Sequence, residues 1–366
     1  MRYLSLFSGI ESASLAWSHL GWECAGFAEI EPFPCKVLAH HYPDVPNLGS
    51  VLDITKEQIE ALGHIDLVVF GSPCQSLSIS GKREGMFNDD GTHTRSGLFF
   101  TAVQIADWAN ARWSVWENVP GAFSSTKGRD FAAVVGVMAG CDFPVPDKGW
   151  QTSGVALGNR GLVEWVTIDA QYCRTPEYPR AVPQRRRRVF VVRDTGDWAG
   201  RPPLFLDAES VSGNPPPSRR TGQKVADGAT SGTCSGKPVF GTLAANCGQK
   251  CGDYHVFALA GNTIGRQPKS GGNGMGYDES GACYTLTKTD VHGVCADPSD
   301  SNGDGRMAVR RLTPTECESL QAFPLGFTNI PGASDSARYK ALGNSMACNV
   351  MHFIGQKINF AHWMTS

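Results

Sequence analysis

The sequence predicts an α/β fold: a doubly wound, mainly parallel sheet accompanied by a smaller, loop-rich domain. Three observations carry this. Short apolar, β-branched runs alternate with helical patterns through the first half of the chain. The polar residues Ser8, Glu29, Asp53, Cys74 and Glu117 fall where such runs end, and ligands of open α/β sheets lie beyond the carboxyl ends of the strands. From residue 202 the texture changes to Gly, Ser, Thr, Asn and Lys. That region holds the spacer Gly213-Asn214-Pro215-Pro216-Pro217-Ser218 and shows no helical period up to about residue 306.

Taken in order, residues 3–7 form a short apolar strand, Ser8-Gly9-Ile10 a tight turn, and residues 11–20 a helix with Leu15, Ala16 and Leu20 on one face. A strand, glycine turn and helix start hold nucleotide-like cofactors, because backbone can approach the ligand and the helix offers free amides. Residues 22–28 make a second strand ending in Glu29-Ile30-Glu31, before a helix start punctuated by Pro32 and Pro34. An acidic residue at that tip is where a doubly wound fold meets ribose hydroxyls. Residues 51–54 are expected as a third strand, 65–70 as a fourth and 113–116 as a fifth, which ends in Glu117-Asn118-Val119-Pro120. Helices are expected over 96–111 and 129–139, and further strands over 162–172 and 187–192. The last of these follows Gln184-Arg185-Arg186-Arg187-Arg188.

The fourth strand runs into Gly71-Ser72-Pro73-Cys74-Gln75-Ser76 and a loop rich in Ser, Gly and Lys. A thiol delivered there is a candidate nucleophile, although most cysteines beside proline are small buried residues. Near the end of the chain, RRLTPTECESLQAF places Thr313 as a helix N-cap, Pro314 in the first turn and Glu316 at the third position. Residues 339–346 lead into a last helix that ends near Phe360.

A chain of 366 residues with 41% hydrophobic content can bury a full core and suggests two domains. No stretch has the apolar length of a membrane span and no leader is visible, so a cytoplasmic location is expected. The 12 cysteines spread from Cys24 to Cys348 favour reduced thiols. A net charge of -2 is neutral on nucleic acid, so phosphate contacts would fall to Arg185 to Arg188, Arg219-Arg220 and Arg310-Arg311. Cys247, Cys251 and His255 lack a fourth ligand at finger-like spacing, and no metal is expected.

The motifs LFSGIES, GSPCQSLSISGK, ENVPG, QRRRR, RRLTPTECESLQAFP and YKALGNSMACNV, in that order and at both ends of the chain, resemble the DNA cytosine methyltransferases that make 5-methylcytosine with S-adenosylmethionine. The resemblance implies a Rossmann-like methyltransferase sheet from residues 1–204 with 334–366, and a target recognition domain over 205–333. It implies that Cys74 adds to carbon 6 of the cytosine, Glu117 bonds the ring nitrogen and exocyclic amine, and Arg186 and Arg188 hold the base carbonyl. It implies double-stranded DNA as the substrate, from which the cytosine must be swung out. Gln75, Ser78, Ser80 and Lys82 would lie near that DNA.

Carried over by position, Phe7 and Ile30 sandwich the adenine of the cofactor, Glu29 meets its ribose and Asp53 its amine. Ser8, Gly9, Ile10, Ile54, Pro73 and Leu98 complete the contacts from the first part of the chain, and Asn344 and Met346 those from its end. The first motif departs from the family in having Glu11 and Ser12 where glycines are usual. Glu11 either meets the ammonium group of the cofactor or caps the helix. The FSGIE variant resembles phage and prophage members, and so a bacterial or phage-infected cell is the expected setting, with or without a restriction partner. Thr285-Leu286-Thr287 resembles the Thr-Leu element near the target, with Gly241-Thr242-Leu243 as competitor. The chain is expected to be a monomer. An RNA methyltransferase on the same scaffold and a binding protein without catalysis are the alternatives. A nicotinamide dehydrogenase would not need Pro-Cys-Gln or the arginine run.

Overall fold

Arg2–Leu6 forms β1, around which the first part of the chain assembles. Glu23–Ala28 (β2) pairs with it in parallel on one side, and Leu67–Phe70 (β3) on the other. This change of side makes β1 the topological switch point, the place where a ligand crevice opens beyond the strand ends. Trp113–Asn118 (β4) extends the parallel set. Ser153–Gly158 (β5), Gly161–Asp169 (β6) and Arg187–Asp194 (β7) then join antiparallel, and the sheet order is β2-β1-β3-β4-β7-β6-β5. The structure, a computed structural model, describes residues 1–72, 97–205, 256–261, 277–278, 283–286, 292–296 and 308–365.

Two expectations are corrected. The sheet is parallel only from β2 to β4, because β5 and β6 meet at a tight hairpin with Gly158 opposite Gly161, where no crossover helix fits. Residues 51–54 are not a strand. Ser50 accepts the amide of Leu52 on its hydroxyl and that of Asp53 on its carbonyl, a serine turn that competes with strand pairing. Only Asn47 bridges to β2 there, opposite Phe27.

Ser12–Trp17 (α1), Pro32–His41 (α2), Lys56–Ala61 (α3), Gly97–Trp108 (α4) and Arg129–Ala139 (α5) separate these strands. Every residue of β3 is buried, as a central parallel strand requires, and it shares its core with Phe99, Ala102 and Ile105 of α4 and Phe131, Val135 and Met138 of α5. The C-terminal helix, Cys348–Met364, is tied to the first strands by two indoles. Trp17 Nε1 donates to the carbonyl of Met351 at 2.7 Å and Trp22 Nε1 to Asn359 at 3.1 Å.

The chain divides into two units, Met1–Asp169 with Arg187–Gly213 and Val350–Ser366, and Ala170–Arg186 with Asn214–Asn349. Residues 170–186 and 334–349, expected in the first, group with the second. In the second unit Val256–Leu259 (β8), Tyr277–Asp278 (β9), Gly293–Ala296 (β10) and Ala308–Arg311 (β11) form an antiparallel sheet ordered β11-β10-β8-β9. Pro314–Ser319 (α6) starts with the expected capping box between Thr313 and Glu316, and Asp335–Asn344 (α7) follows. Glu318, fully buried, accepts from the amides of Gly326 at 2.6 Å and Thr328 at 2.8 Å and from Arg338 at 3.1 Å.

Candidate active site

The turn leaving β1 puts Phe7, Gly9 and Glu11 at φ of 54°, 56° and 60°, the left-handed region. For the two side-chain-bearing residues this costs about 1–2 kcal/mol each, which neighbouring bonds must offset. Those bonds are present. Ser8 exchanges with Ala28 on β2, its amide donating to the Ala28 carbonyl and its hydroxyl accepting the Ala28 amide, both at 3.2 Å. Glu29 accepts the Gly9 amide at 2.7 Å on one oxygen and the amides of Ile30 and Glu31 at 2.8 and 2.7 Å on the other. Its carboxylate therefore stitches the ends of β1 and β2 together and keeps one of its roughly four acceptor positions.

Around this turn Ile10 is buried, Phe7 half-buried, and Ile30 68% exposed. Among the described residues a Cβ on Gly9 would meet nothing within 4 Å. Ile54 is buried, Leu98 packs against the core, and Asp53 is exposed. In the second unit, Asn344 is exposed at the end of α7 and Met346 is half-buried.

Glu11 faces inward. Only 1% exposed, it accepts from Ser5 Oγ at 2.8 Å, from the Ser14 amide at 3.2 Å and from Ser14 Oγ at 3.1 Å. It thereby caps α1, one of the two roles left open by the sequence. Burial, reinforced by the Glu29 carboxylate, raises its pKa to about 7 against the lowering effect of these three bonds.

At the ends of β3 and β4 a second cluster forms. Arg188 Nε lies 3.0 Å from Glu117 Oε1, with 15% and 14% of the two side chains exposed. The residues flanking Glu117 hold the exit of β3: Trp116 Nε1 donates to Ser72 Oγ at 3.0 Å and Asn118 Nδ2 to the Ser72 carbonyl at 3.3 Å. Asn118 Oδ1 also accepts the amide of Val119 at 2.8 Å, which fixes the turn after Glu117. The chain is thus pinned by the two neighbours of Glu117 two positions before Cys74. Pro73, Cys74, Gln75, Ser78, Ser80 and Lys82 lie outside the described residues, as do Gly241-Thr242-Leu243, Cys247, Cys251, His255 and Thr287.

Within the second unit, Arg186 is buried. Its guanidinium donates to the carbonyls of Leu286 at 3.1 Å, Gly343 at 3.2 Å and Ser345. The hydroxyl of Thr285 donates to the Arg185 carbonyl, and Arg185 and Cys283 pair through backbone at 2.8 Å. His292 braces the same segment: its Nδ1 accepts the Gly261 amide at 2.9 Å, so Nε2 carries the proton and donates to the Thr285 carbonyl at 2.7 Å. Sequence reasoning missed Ser5, Ser14, Ser72, Asn118 and His292. Hydroxyls inside an apolar strand and helix were the available sign for the first two.

A family model described as C-5 cytosine-specific DNA methylase matches residues 1–197 and 265–359. The chain belongs to this family of DNA methyltransferases. It is 30% identical over 473 aligned residues to a protein of Escherichia phage P1 described as a DNA N-6-adenine-methyltransferase, covering 98% of this chain and 61% of the phage protein. It is 26% identical to the type II methyltransferase M.HpaII of Haemophilus parainfluenzae, covering 97% of this chain and 88% of that protein. The fold matches the solved Entamoeba histolytica methyltransferase EhMeth with a TM-score of 0.56 at 14% identity, over 98% of this chain and 97% of that one. Among the described residues no helix is long and apolar enough to cross a membrane.

Proposed function

We propose that this chain methylates carbon 5 of a cytosine swung out of double-stranded DNA, with Cys74 as nucleophile and S-adenosylmethionine as methyl donor. The observation that carries the reading is the Glu117–Arg188 pair at the end of β4, together with Ser72, which the residues on either side of Glu117, Trp116 and Asn118, anchor two positions ahead of Cys74. Carbon 5 of cytosine is a poor nucleophile, and a thiolate added at carbon 6 makes it an enamine carbon. Glu117, oriented by Arg188, hydrogen-bonds the edge of the ring as charge develops there. Once carbon 5 carries the methyl group, loss of its proton to a water molecule re-forms the carbon 5–carbon 6 double bond, breaks the sulfur–carbon bond and returns Cys74 as thiolate. The cofactor supplies a methyl group on a sulfonium. The β1 turn suits it in that no described residue crowds Gly9, Ile30 is exposed and the Glu29 carboxylate stands at the tip of β2.

Residues 205–333 select the target sequence on this reading, with catalysis resting on residues 1–204 and 334–366. Nucleoside analysis of DNA from cells expressing the chain tests the activity, and 5-methyldeoxycytidine is the expected product. The description of the phage P1 relative supplies a second reading, methylation of the adenine amine, for which N6-methyldeoxyadenosine is diagnostic. An exocyclic amine attacks a sulfonium methyl without a covalent thiolate adduct. Trapping on 5-fluorocytosine duplex DNA, lost in Cys74→Ser, therefore separates the two, and transfer RNA offered in parallel tests the RNA alternative.

A further inference from the structure

Glu11 stands where the family usually has glycine, and nothing in the proposed chemistry uses it. It is buried, and among the described residues no lysine, arginine or histidine pairs with it. Its amide closes the turn on the Ser8 carbonyl at 3.0 Å, while its carboxylate reaches back to Ser5 on β1 and forward to Ser14 on α1. When Glu11 is ionised, Ser14 gives it its hydroxyl proton, so the Tyr3 hydroxyl 2.6 Å away is then the donor to Ser14 and the three groups form one chain. The turn is thus held by one carboxylate from its buried side and, through Gly9 and Glu29, by another from its exposed side.

The titratable groups facing Glu11 are Tyr3 on β1, Cys24 on β2 and Glu29 after β2. Burial pushes the Tyr3 hydroxyl and the Cys24 thiol well above their ordinary values, so neither ionises near neutrality. Glu11 itself, at about 7, does. A cation brought to the turn favours the ionised carboxylate, and by linkage the ionised carboxylate favours the cation by the same factor.

We propose that Glu11 is a positioning residue that holds the cofactor turn from its buried side and links cofactor charge to its own proton, favouring cationic S-adenosylmethionine over S-adenosylhomocysteine as pH rises. This rests on reading the turn as the cofactor site. Calorimetric titration of the full chain with each ligand between pH 6.0 and 8.5 tests it. The ratio of the two dissociation constants should shift toward S-adenosylmethionine by about fivefold, the lower end of ordinary coupling between sites. Glu11→Gln should flatten this shift, which also subtracts any titration of the ligands' own amino groups. Ser5→Ala removes a bond that favours the ionised form and should move the midpoint to higher pH; it decides the matter should the glutamine variant not fold. A wild-type ratio independent of pH, an unchanged step in Glu11→Gln, or an unmoved midpoint in Ser5→Ala overturns the proposal. Failure of the wild type to bind either ligand at any pH removes the cofactor reading itself, and this inference with it.

Discussion

Glu117 and Arg188 meet at 3.0 Å as a diagonal pair across antiparallel strands: the register sets Glu117 opposite Phe190, and Arg188 stands two residues along on the same face. Alternation places Arg186 on that face too, but the strand begins at Arg187, and Arg186 is held by three carbonyls of the second unit. The two arginines should therefore fail differently. Arg188→Ala leaves Glu117 without its cation and should lower single-turnover methylation by roughly 10²–10³-fold. Arg188→Lys should recover little, because an ammonium lacks the planar fork. Arg186→Ala strips three buried carbonyls of their donor and should cost stability first, roughly 3 kcal/mol or more. Thermal unfolding measured beside turnover separates the two. A larger stability loss at Arg188 than at Arg186 would contradict this assignment.

Much of this was legible in the sequence, for identifiable reasons. Boundaries came out well where one rule acts alone, as at α5, whose helical pattern is bounded by Gly128 and Gly140, or at α6, whose Thr313–Glu316 box is local. The sheet was misread where an apolar run meets turn chemistry, as at Ser50, and β5 was missed because its apolar residues Val155 and Leu157 face outward while the buried position between them is only the small Ala156, so no polar-out alternation marks the strand. The motif residues could be named, but not their bonding. That Glu29 also takes the Gly9 amide, or that Arg186 turns to carbonyls, depends on contacts far apart in the chain.

On the proposed reading of the β1 turn, Glu29→Ala should weaken S-adenosylhomocysteine binding at least about tenfold, since it removes both the carboxylate assigned to the ribose and the acceptor that holds Gly9. Glu29→Gln is the sharper variant. An amide has one oxygen, so it can satisfy either Gly9 or the Ile30 and Glu31 amides, but not both. Calorimetry should therefore place Gln close to Ala. Wild-type affinity in the Gln variant would show that the amide clamp does not matter for binding.

The raised pKa of Glu11 also makes a statement about stability. The folded chain holds this proton more tightly than the unfolded one, so the contribution is complete below the ordinary carboxyl value of 4.5 and is lost as pH rises to about 7. The full span is worth roughly 3 kcal/mol for a group this buried. Glu11→Gln, neutral at every pH, lacks the dependence. Relative to the wild type, its Tm should climb between pH 5 and pH 8, and a constant difference over that range would place the carboxyl's titration elsewhere.

The last expectation concerns His292, which holds the Thr285–Leu286 segment by both ring nitrogens. The bond from the Gly261 amide fixes the proton on Nε2, and that proton is what reaches the Thr285 carbonyl. Two substitutions divide the ring between them. Asn places an oxygen near Nδ1 and so keeps Gly261 while releasing Thr285. Gln extends an amide N–H toward the position of Nε2 and so keeps Thr285 while releasing Gly261. Each loses one bond to a half-buried group and should lower stability by about 1 kcal/mol. Their effects on DNA should differ. Thr285 and Leu286 also hold Arg185 and Arg186, so a freed Thr285 loosens the whole segment. If that segment meets the target, His292→Asn should weaken duplex binding several-fold and relax the choice of methylated site, with His292→Gln close to wild type. Binding titrations and bisulfite sequencing at equal protein stability make the comparison. Equal behaviour of the two variants on DNA would confine His292 to the folding of the second unit and leave target contact to residues elsewhere in 205–333.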